Sequence, residues 1–429
     1  MRVLIICTYF PPDTAIAAVR PYMFAKYLDK MGDQVTVICS GRINKRAGWF
    51  CPISESINVV RCNKIKDISQ NTIGKSRISF LPYNIRQVVS KIYHTVSSPF
   101  SELSFLRRTQ MYEQQIIKEI EKFSRDSFDV VFSTYGEAEN INAAVFAKRY
   151  FSCPLVVDLR DMITSRITQS FARNCILKRY EKKALSEASH VTTVSQGLAE
   201  AIISKSKCKV STIYNGFEPE MSLIPETNDS LTFCYTGNLN RGSTSSLQIF
   251  CSIISELISE NTIDNNHITF EYCGSDSEQV KKIFNKYSLC HILKDHGYVD
   301  KYEVNAIQNK SDVFLVLSWN FKKGKGILTG KFYEGIRLKK IIFSIVSGDE
   351  SDSELYNLNE KYNYGYCYEE ARGEEQNIEF KDRIIELYNK KNNCVPLMQS
   401  FNTALYERFS YPNLTIELRN IFESLIIPH

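Results

Sequence analysis

The sequence lacks the features that mark several large classes of protein. No Cys-x-x-Cys spacing occurs among its 13 cysteines, and no Asp-x-Asp motif occurs in its 429 residues. Glycine (18 residues) and proline (12) are too scarce for a collagenous or low-complexity chain. No apolar run approaches the roughly 18–20 residues of a membrane span. The sequence therefore argues against a disulfide framework, a cysteine-bound zinc site and a transmembrane protein.

The chain also lacks a large excess of either positive or negative charge. Fifty-three Lys and Arg against 48 Asp and Glu leave a net charge of +5, which does not suit a dedicated nucleic-acid binder. The excess is local, because residues 61–125 hold twelve cations and five carboxylates. This stretch suits either an anionic surface, such as a phospholipid leaflet or a phosphorylated acceptor, or an ordinary solvated face. We expect a cytoplasmic protein and leave peripheral contact with the inner face of the cell membrane open.

Short apolar runs alternate with amphipathic segments along the chain. Val3–Cys7 is predicted to be a buried strand, and the helical spacing over Ala17–Met31 stops at Gly32. The same alternation restarts with a strand at Leu231–Tyr235 and a helix at Ser245–Ile258. Strands separated by helices are typical of βαβ units and a mainly parallel sheet. We therefore predict an α/β protein with two Rossmann-like, doubly wound domains that face a central cleft.

A composition change separates the two predicted domains. Asn215-Gly216 is a turn signal, and an acidic, aperiodic stretch follows it. We predict an N-terminal domain over residues 1–215, a linker over 216–230 and a C-terminal domain over 231–399. Residues 400–429 are predicted to form helices that either close the second sheet or cross back to the first domain. Ligands of such folds bind at the carboxyl ends of the strands.

The most informative segment is KKGKGILTGKFYEG, residues 322–335. A Gly/Lys loop leads from a predicted strand into a helix near Thr329, and the N–H groups at a helix start attract phosphate. Lys331 adds a full charge, and Glu334 lies on the same face of the helix, where a carboxylate accepts hydrogen bonds from ribose hydroxyls. The set fits a nucleotide-diphosphate clamp, but on these residues alone a basic surface loop followed by a Lys–Glu helix pair is the slightly preferred interpretation.

The segment CYTGNLNRGST, residues 234–244, is a second strand-to-helix loop. Gly237 and Gly242 bracket Arg241, whose guanidinium offers a bidentate fork to phosphate oxygens. If Arg241 and Lys331 share one diphosphate, two fixed cations stabilise a departing nucleoside diphosphate without a metal. The absence of an Asp-x-Asp motif is consistent with that interpretation. The alternative is that Arg241 is a solvated loop residue.

Weaker candidates follow other strands of the second half. Gly274 comes after a strand and permits close approach of a ligand, and Ser275 or Asp276 is expected to cap the next helix. Tyr298 and Val299 lie at a strand end, where a base could stack or where ordinary core packing would suffice.

In the first half, two strand-end segments carry charges. The loop YFPPDTAIAAVRP contains Asp13 and Arg20, and DLRDM contains Asp158, Arg160 and Asp161. Asp161 is a candidate general base, and a salt bridge is the alternative for it. For Asp158 a structural salt bridge is the preferred interpretation. His190 precedes a predicted strand, and we expect it to be a buried, hydrogen-bonded residue.

These segments, in this order, resemble the GT-B glycosyltransferases of the family-4 type, which build bacterial capsule and O-antigen sugars. The resemblance spans nearly the whole chain. It implies transfer of a hexosyl or N-acetylhexosaminyl group from a UDP- or GDP-sugar to a hydroxyl of a lipid-linked or polysaccharide acceptor, with retention and without cofactor or metal. The matching segments are VLIICTYFPPDT, VVDLRD, VTTVSQGLAEAI, STIYNGFEPE, FCYTGNLNRG and GILTGKFYEGIRLKKIIFSI.

The resemblance also implies roles for individual residues. Arg241 and Lys331 would hold the diphosphate as catalytic residues, together with Asp161, and Glu334 would bind the ribose. Asp13 and Arg20 would lie on the acceptor side, in the N-terminal domain. The remaining donor-binding residues implied are Gly237, Asn238, Gly274, Tyr298, Val299, Leu328, Thr329 and Gly330.

One position departs from the family pattern. The family has paired glutamates eight residues apart, and Gly326 stands where the first of them would be. Because that glutamate contacts donor-sugar hydroxyls, the donor sugar and the stereochemical course stay open. Two alternatives also remain, a sugar-nucleotide epimerase of the same fold and a non-catalytic nucleotide-sugar-binding protein. A dinucleotide-dependent oxidoreductase is disfavoured because no G-x-G-x-x-G follows the first strand.

Overall fold

The computed structural model describes residues 1–41, 52–62, 83–135, 139–164, 171–219, 228–322, 327–397 and 401–426. The chain forms two compact units. Unit 1 comprises residues 1–194, 199–213 and 415–429, and unit 2 comprises residues 195–198 and 214–414.

Unit 1 is built on a seven-stranded parallel sheet with the strand order β3-β2-β1-β4-β5-β6-β7. The central strand β1 is buried from Val3 to Cys7, as expected for a parallel strand covered on both faces. The chain order of elements is β1 (Arg2–Cys7), α1 (Val19–Lys30), β2 (Gln34–Ser40), β3 (Asn58–Cys62), α2 (Tyr83–Ile120), β4 (Val130–Thr134), α3 (Glu139–Phe151), β5 (Leu155–Leu159), α4 (Phe171–Glu187), β6 (His190–Thr193), α5 (Gln196–Ile203, begun by residues of unit 2) and β7 (Val210–Thr212).

Unit 2 is built on a six-stranded parallel sheet with the order β10-β9-β8-β11-β12-β13. The chain order of elements is β8 (Leu231–Thr236), α6 (Arg241–Ser259), β9 (Ile268–Cys273), α7 (Ser277–Lys286), β10 (Leu293–Asp295), α8 (Lys301–Lys310), β11 (Val313–Trp319), α9 (Gly330–Arg337), β12 (Ile341–Ser347), α10 (Glu354–Tyr362), β13 (Gly365–Glu369), α11 (Glu374–Asn392), α12 (Thr403–Arg408) and α13 (Tyr411–Ile426). The last helix begins in unit 2 and ends in unit 1.

Helices cover both faces of the second sheet. One apolar cluster joins the sheet to α6, α7 and α11 through residues such as Phe250, Phe284 and Phe380. A second cluster joins the opposite side to α9 and α12, with Phe332 and Phe409 at its centre. Fully buried aromatic side chains of this size contribute most of the apolar area that stabilises each layer. The predicted α/β class with two Rossmann-like domains is confirmed.

The predicted linker over 216–230 starts inside the packed part of unit 2. Phe217 is buried, its ring centroid lies 4.7 Å from that of Tyr406, and its backbone bridges to Ser410. Residues 220–227 of the predicted linker lie outside the described residues.

Each sheet reverses its strand order beside its first strand. In unit 2, β9 pairs with one edge of β8 and β11 pairs with the other. The loops that follow β8 and β11 therefore diverge at their carboxyl ends and leave a crevice, which is where open α/β sheets bind ligands.

Candidate functional site

The crevice of unit 2 is bordered by the loop after β8, residues 237–240. This loop is held by backbone and tyrosine contacts. The N–H of Gly237 donates to the carbonyl of Cys273 (2.7 Å), and the Tyr272 hydroxyl donates to the carbonyl of Gly237 (3.1 Å). The Tyr235 hydroxyl donates to the carbonyl of Asn238 (3.0 Å). The loop is thereby fixed before any ligand arrives.

Lys331 lies directly against Gly237. A Cβ at Gly237 would stand 2.9 Å from Cε of Lys331, and the φ of Gly237 is +126°, a value that favours glycine. The glycine therefore makes room for the lysine stem, which brings an ammonium group to the carboxyl end of β8.

Gly274 packs the next loop against the same place. A Cβ at Gly274 would stand 2.3 Å from both the carbonyl oxygen of Gly237 and the hydroxyl of Tyr272. The N–H of Gly274 donates to the carbonyl of Gly297 (2.8 Å), which brings the start of the Tyr298 segment alongside. Gly237 and Gly274 were both candidates from sequence, and the structure places them in contact.

The Lys331 ammonium forms an ion pair with Glu334. Its Nζ lies 2.7 Å from Oε1 and 2.9 Å from Oε2 of the carboxylate, and both side chains remain partly exposed. A third side chain joins them, because Nε2 of Gln308 donates to Oε2 of Glu334 (3.1 Å) and to Oγ1 of Thr236 (2.8 Å). The Lys–Glu helix pair is therefore formed, and it stands at the crevice instead of on a remote surface.

The start of helix α9 is open above this pair. Thr329 is the N-cap residue, but its hydroxyl makes no capping hydrogen bond. Gly330 is exposed, with no atom within 4 Å of the position of a Cβ, and Leu328 is half-buried. The first N–H groups of a helix have no partner within the helix and carry partial positive charge. An anion at this position would meet both the helix start and Lys331.

Arg241 begins helix α6 immediately after the loop 237–240. Asn240 caps that helix and forms a capping box with Ser243. Gly242 packs on the indole of Trp319, since a Cβ there would lie 2.5 Å from Cδ2. The Arg241 backbone is thus at the carboxyl end of β11. Its guanidinium, like Gly326, lies outside the described part of the structure, so the convergence of Arg241 with Lys331 stays a prediction.

The start of helix α7, which follows β9, is not capped in the way that the sequence predicts. Neither Ser275 nor Asp276 caps helix α7 with its side chain. Instead, Asp276 Oδ2 accepts from the N–H of Leu239 (2.7 Å), and the Ser275 hydroxyl donates to Oδ1 of Asn238 (2.8 Å). These contacts run across the sheet edge to the β8 loop, so Asp276 occupies the predicted N-cap position without capping the helix through its side chain. They stiffen the loop that carries Asn238.

Tyr298 and Val299 follow β10 at the rim of the same sheet edge. The Tyr298 side chain is 77% exposed, and Val299 is half-buried. Ordinary core packing, the alternative for Tyr298, does not account for so exposed a ring. Asp300 caps helix α8 by accepting from the N–H groups of Tyr302 and Glu303.

In unit 1, Arg20 forms a buried ion pair with Asp158. Its Nε and a terminal nitrogen donate to the two carboxylate oxygens of Asp158 (3.0 and 2.8 Å), and it also donates to the carbonyl of Ile213. Arg20 is 2% exposed and Asp158 is fully buried. The expectation that Arg20 faces the acceptor is therefore corrected, because its guanidinium is enclosed by the fold.

The hydroxyls of Thr134 and Thr192 also donate to Asp158. Burial alone would raise the pKa of Asp158, but the charge of Arg20 and these hydrogen bonds hold it below its ordinary value. The preferred structural interpretation of Asp158 is confirmed.

The other charged candidate residues of unit 1 differ in how far solvent reaches their side chains. Arg160 donates to the carbonyls of Ala17 and Tyr135, and Asp161 is exposed. Asp13 is 1% exposed, with one carboxylate oxygen bonded to the N–H of Ala15. Asp161 is the one of these carboxylates that solvent reaches, whereas Asp13 is enclosed by its own loop.

In the described ranges, no group of three or more His, Cys, Asp or Glu side chains is arranged to hold a metal ion. No helix among those residues has the length and apolar character needed to cross a bilayer.

Comparisons with known proteins agree with this architecture. Residues 17–221, just under half of the chain, match the sequence model of Glycosyltransferase Family 4. Over that range the chain is similar to this family, and its fold is that of the GT-B glycosyltransferases. No curated protein matched the sequence.

Solved structures with similar folds match nearly the whole chain. The apo form of the lipopolysaccharide outer core galactosyltransferase WaaB superposes with a TM-score of 0.60 at 13% identity, covering 99% of this chain and 100% of that one. Anabaena HepE in complex with UDP and glucose gives 0.58 at 13% identity, with 99% and 100% covered. Sucrose-phosphate synthase of Thermosynechococcus elongatus gives 0.56 at 11% identity, with 99% of both chains covered.

An epimerase fold is similar as well. A Listeria monocytogenes protein assigned as a UDP-N-acetylglucosamine 2-epimerase gives a TM-score of 0.54 at 8% identity, covering 99% of this chain and 96% of that one. At these identities the structural similarities establish the fold alone.

Two residues of the site were missed by sequence reasoning. Gln308 and Thr236 complete the Lys331–Glu334 group, yet neither stands in a motif. Gln308 lies in a polar helical segment, and only the pairing of β8 with β11 brings its helix beside Thr236.

Proposed function

We propose that this glycosyltransferase moves a hexosyl or N-acetylhexosaminyl group from UDP- or GDP-sugar to a hydroxyl of a lipid-linked or polysaccharide acceptor, with retention and without a metal ion. The observation that carries the proposal is the Lys331 ammonium, which lies over Gly237 at the carboxyl end of β8 and beside the open start of α9. A fixed cation and a helix N-terminus are the groups that a diphosphate needs.

In the proposed reaction, the bond between the anomeric carbon and the β-phosphate oxygen breaks, and a bond forms from that carbon to the acceptor oxygen. The acceptor proton passes to the departing phosphate. Lys331 stabilises the charge that develops on the leaving group, and Arg241, the first residue of α6, is assigned the same role. Glu334 is assigned to the ribose hydroxyls, and Asp161 to the acceptor side.

Two similar structures support the choice of ligands. HepE was crystallised with UDP-glucose, and WaaB is described as a galactosyltransferase of the lipopolysaccharide outer core. A nucleoside-diphosphate sugar and a cell-surface glycan acceptor are therefore the substrate classes to test first.

The test begins with a thermal-shift screen of UDP, GDP, ADP, CMP and dTDP, because a ligand that binds only the folded state raises the melting temperature. Sugars of the selected nucleotide are then incubated with and without a polyprenyl-phosphate-linked glycan. The proposal expects sugar transfer only with the acceptor, and full activity in EDTA. Conversion of the donor without an acceptor would instead establish the epimerase alternative, and binding without any conversion would establish the non-catalytic one.

The basic stretch over residues 61–125 is proposed to bind the anionic inner face of the cell membrane. In its described part, Leu103 and Met111 of helix α2 are exposed beside the exposed cation Arg107. Basic and apolar side chains together suit a phospholipid surface. Sedimentation with phosphatidylglycerol liposomes should fall when Arg107 and Arg108 are changed to Gln, and unchanged sedimentation would remove these residues from the proposal.

A further inference from the structure

Gln308 is buried beneath the candidate donor site. It lies in helix α8, its side chain is 1% exposed, and its single amide nitrogen reaches two groups. One is Oγ1 of Thr236, the last residue of β8, and the other is Oε2 of Glu334 in α9. Gln308 therefore connects a fixed strand end to a partly exposed carboxylate of the site.

The orientation of this amide follows from its neighbours. An ionised carboxylate can only accept hydrogen bonds, so Nε2 of Gln308 must face Glu334. The opposite orientation would place two oxygens within hydrogen-bond distance of each other. The Thr236 hydroxyl, which accepts the second amide hydrogen, holds the amide plane in that orientation.

Glu334 has two kinds of partner, and a diphosphate would affect them differently. Lys331 is a partly exposed cation, and a bound diphosphate would compete for it because the diphosphate carries more charge than one carboxylate. Gln308 is neutral and buried, so an anionic ligand has no comparable attraction for it. When Lys331 turns to the ligand, the contact from Gln308 still holds the carboxylate.

We propose that Gln308 is a positioning residue, which keeps the Glu334 carboxylate aimed at the hydroxyls of the bound nucleotide while Lys331 engages the diphosphate. This inference rests on the proposed function, since it presumes that Glu334 and Lys331 bind the donor. The contact is equal in the ground state and the transition state, so its loss should weaken binding more than turnover.

The first test removes the amide and keeps its volume. Gln308→Met should raise the Kd for UDP or GDP, whichever binds, by about tenfold, and change kcat by less than about threefold. The matched control is Gln376→Met, because Gln376 is also buried in unit 2 but bonds to Glu369 and Cys367 in place of Glu334. Gln376→Met should leave the Kd unchanged.

The second test uses pH within one variant. Gln308→Glu places a carboxyl group against Glu334, which repels it when ionised and donates a hydrogen bond to it when protonated. Burial and a neighbouring carboxylate both raise the pKa of such a group. The ratio of variant to wild-type Kd should therefore fall severalfold between pH 8 and pH 6.

Neighbouring groups with displaced pKa values keep one charge state in that window. Burial raises the pKa of Tyr235 and Cys234 to about 12 and that of Cys273 to about 11, and hydrogen bonds hold the pKa of Asp295 below its ordinary value. The ratio of the Gln376→Met Kd to the wild-type Kd should not change with pH.

The outcomes separate this inference from the proposed function. If Lys331→Met and Glu334→Gln weaken nucleotide binding but Gln308→Met matches its control, Gln308 has no positioning role. If Lys331→Met and Glu334→Gln also bind normally, the proposed function is wrong at this site. If Gln308→Met does not fold, a pH-independent Kd ratio for Gln308→Glu overturns the inference.

Discussion

The side chain of Lys331 crosses the backbone of Gly237 so closely that a Cβ at position 237 would stand 2.9 Å from Cε of the lysine. The two residues are 94 positions apart, and they meet because β8 is flanked by β9 and β11 in one sheet. Because Gly237 has no side chain, the lysine stem can pass beside its backbone. This contact determines where the ammonium group lies.

Gly237→Ala should therefore lose nucleotide binding as well as stability. A positive φ costs a non-glycine residue about 1 kcal/mol or more, and the new methyl group would also displace Lys331. Gly373→Ala is the matched control, because Gly373 has a positive φ but no atom within 4 Å of a Cβ. Chemical unfolding should show a loss in both variants, whereas calorimetric titration should show weaker binding only in Gly237→Ala. Equal binding in the two would refute the role of this contact.

Removal of either proposed cation should slow transfer. Lys331→Ala and Arg241→Ala should each lower kcat by about 10²–10³, because each deletes a charge that acts on the leaving group. Lys361→Ala, which removes an exposed lysine of α10, should leave turnover unchanged. Near-normal turnover of purified Arg241→Ala would contradict the assignment of that residue.

Much of this site was accessible from sequence because it is carried by local motifs. Glycines, a lysine and a glutamate that follow strand ends predict a phosphate-binding edge when the strands are parallel. Gln308 and Thr236 carry no such local signal, and the tertiary contacts of Ser275 and Asp276 replaced the caps that local reasoning predicts. Arg20 was misassigned because a charged residue in a strand-end loop resembles a ligand contact until its buried partner is known.

The buried pair Arg20–Asp158 should be essential for the stability of unit 1. Arg20→Met leaves a carboxylate without its cation in the interior, which typically costs about 3–5 kcal/mol. Arg2→Met is the comparison, since the Arg2–Asp129 pair is exposed and exposed ion pairs contribute little to stability. Urea unfolding at pH 7 would measure both, and similar losses would contradict the importance of burial.

The loss of stability in Arg20→Met, relative to the wild type, should also depend on pH. The folded pKa of Asp158 is below the ordinary value of about 3.9, so its contribution is present above that pH and is lost as pH falls through the folded pKa. Without Arg20, burial raises the pKa, and the variant loses stability as pH rises. The difference from wild type should therefore grow between pH 4.5 and pH 7.

His190 should make the protein less stable in mild acid. Burial lowers its pKa to about 4, and its Nε2 lies 2.9 Å from the Ser211 hydroxyl. Since the unfolded state takes up a proton near pH 6.5, the stability falls as pH drops from 6.5 towards 4, by about 2 kcal/mol at pH 5. His190→Gln should flatten this part of the unfolding profile, and an identical slope in both proteins would show that His190 does not cause it.

The fold itself was predicted best where the sequence is most periodic. The continuous apolar strands β1 and β8 and the helices after them were recognised, with shifts of a few residues at their ends. Strands β3 and β13 were missed. β3 is short and only half-buried, and β13 begins at Gly365 and has two tyrosines but no aliphatic side chain, so neither contains a long run of aliphatic side chains.

Helix α13 has a consequence for how the molecule is made. Its later residues, including the buried Leu418 and Phe422, belong to unit 1, and Phe422 packs against Phe132 of β4. They are nevertheless synthesised after all of unit 2. The N-terminal half thus emerges from the ribosome with part of its interior missing, and it remains incomplete until α13 has been synthesised. A fragment that stops at the end of β7 would keep that gap permanently.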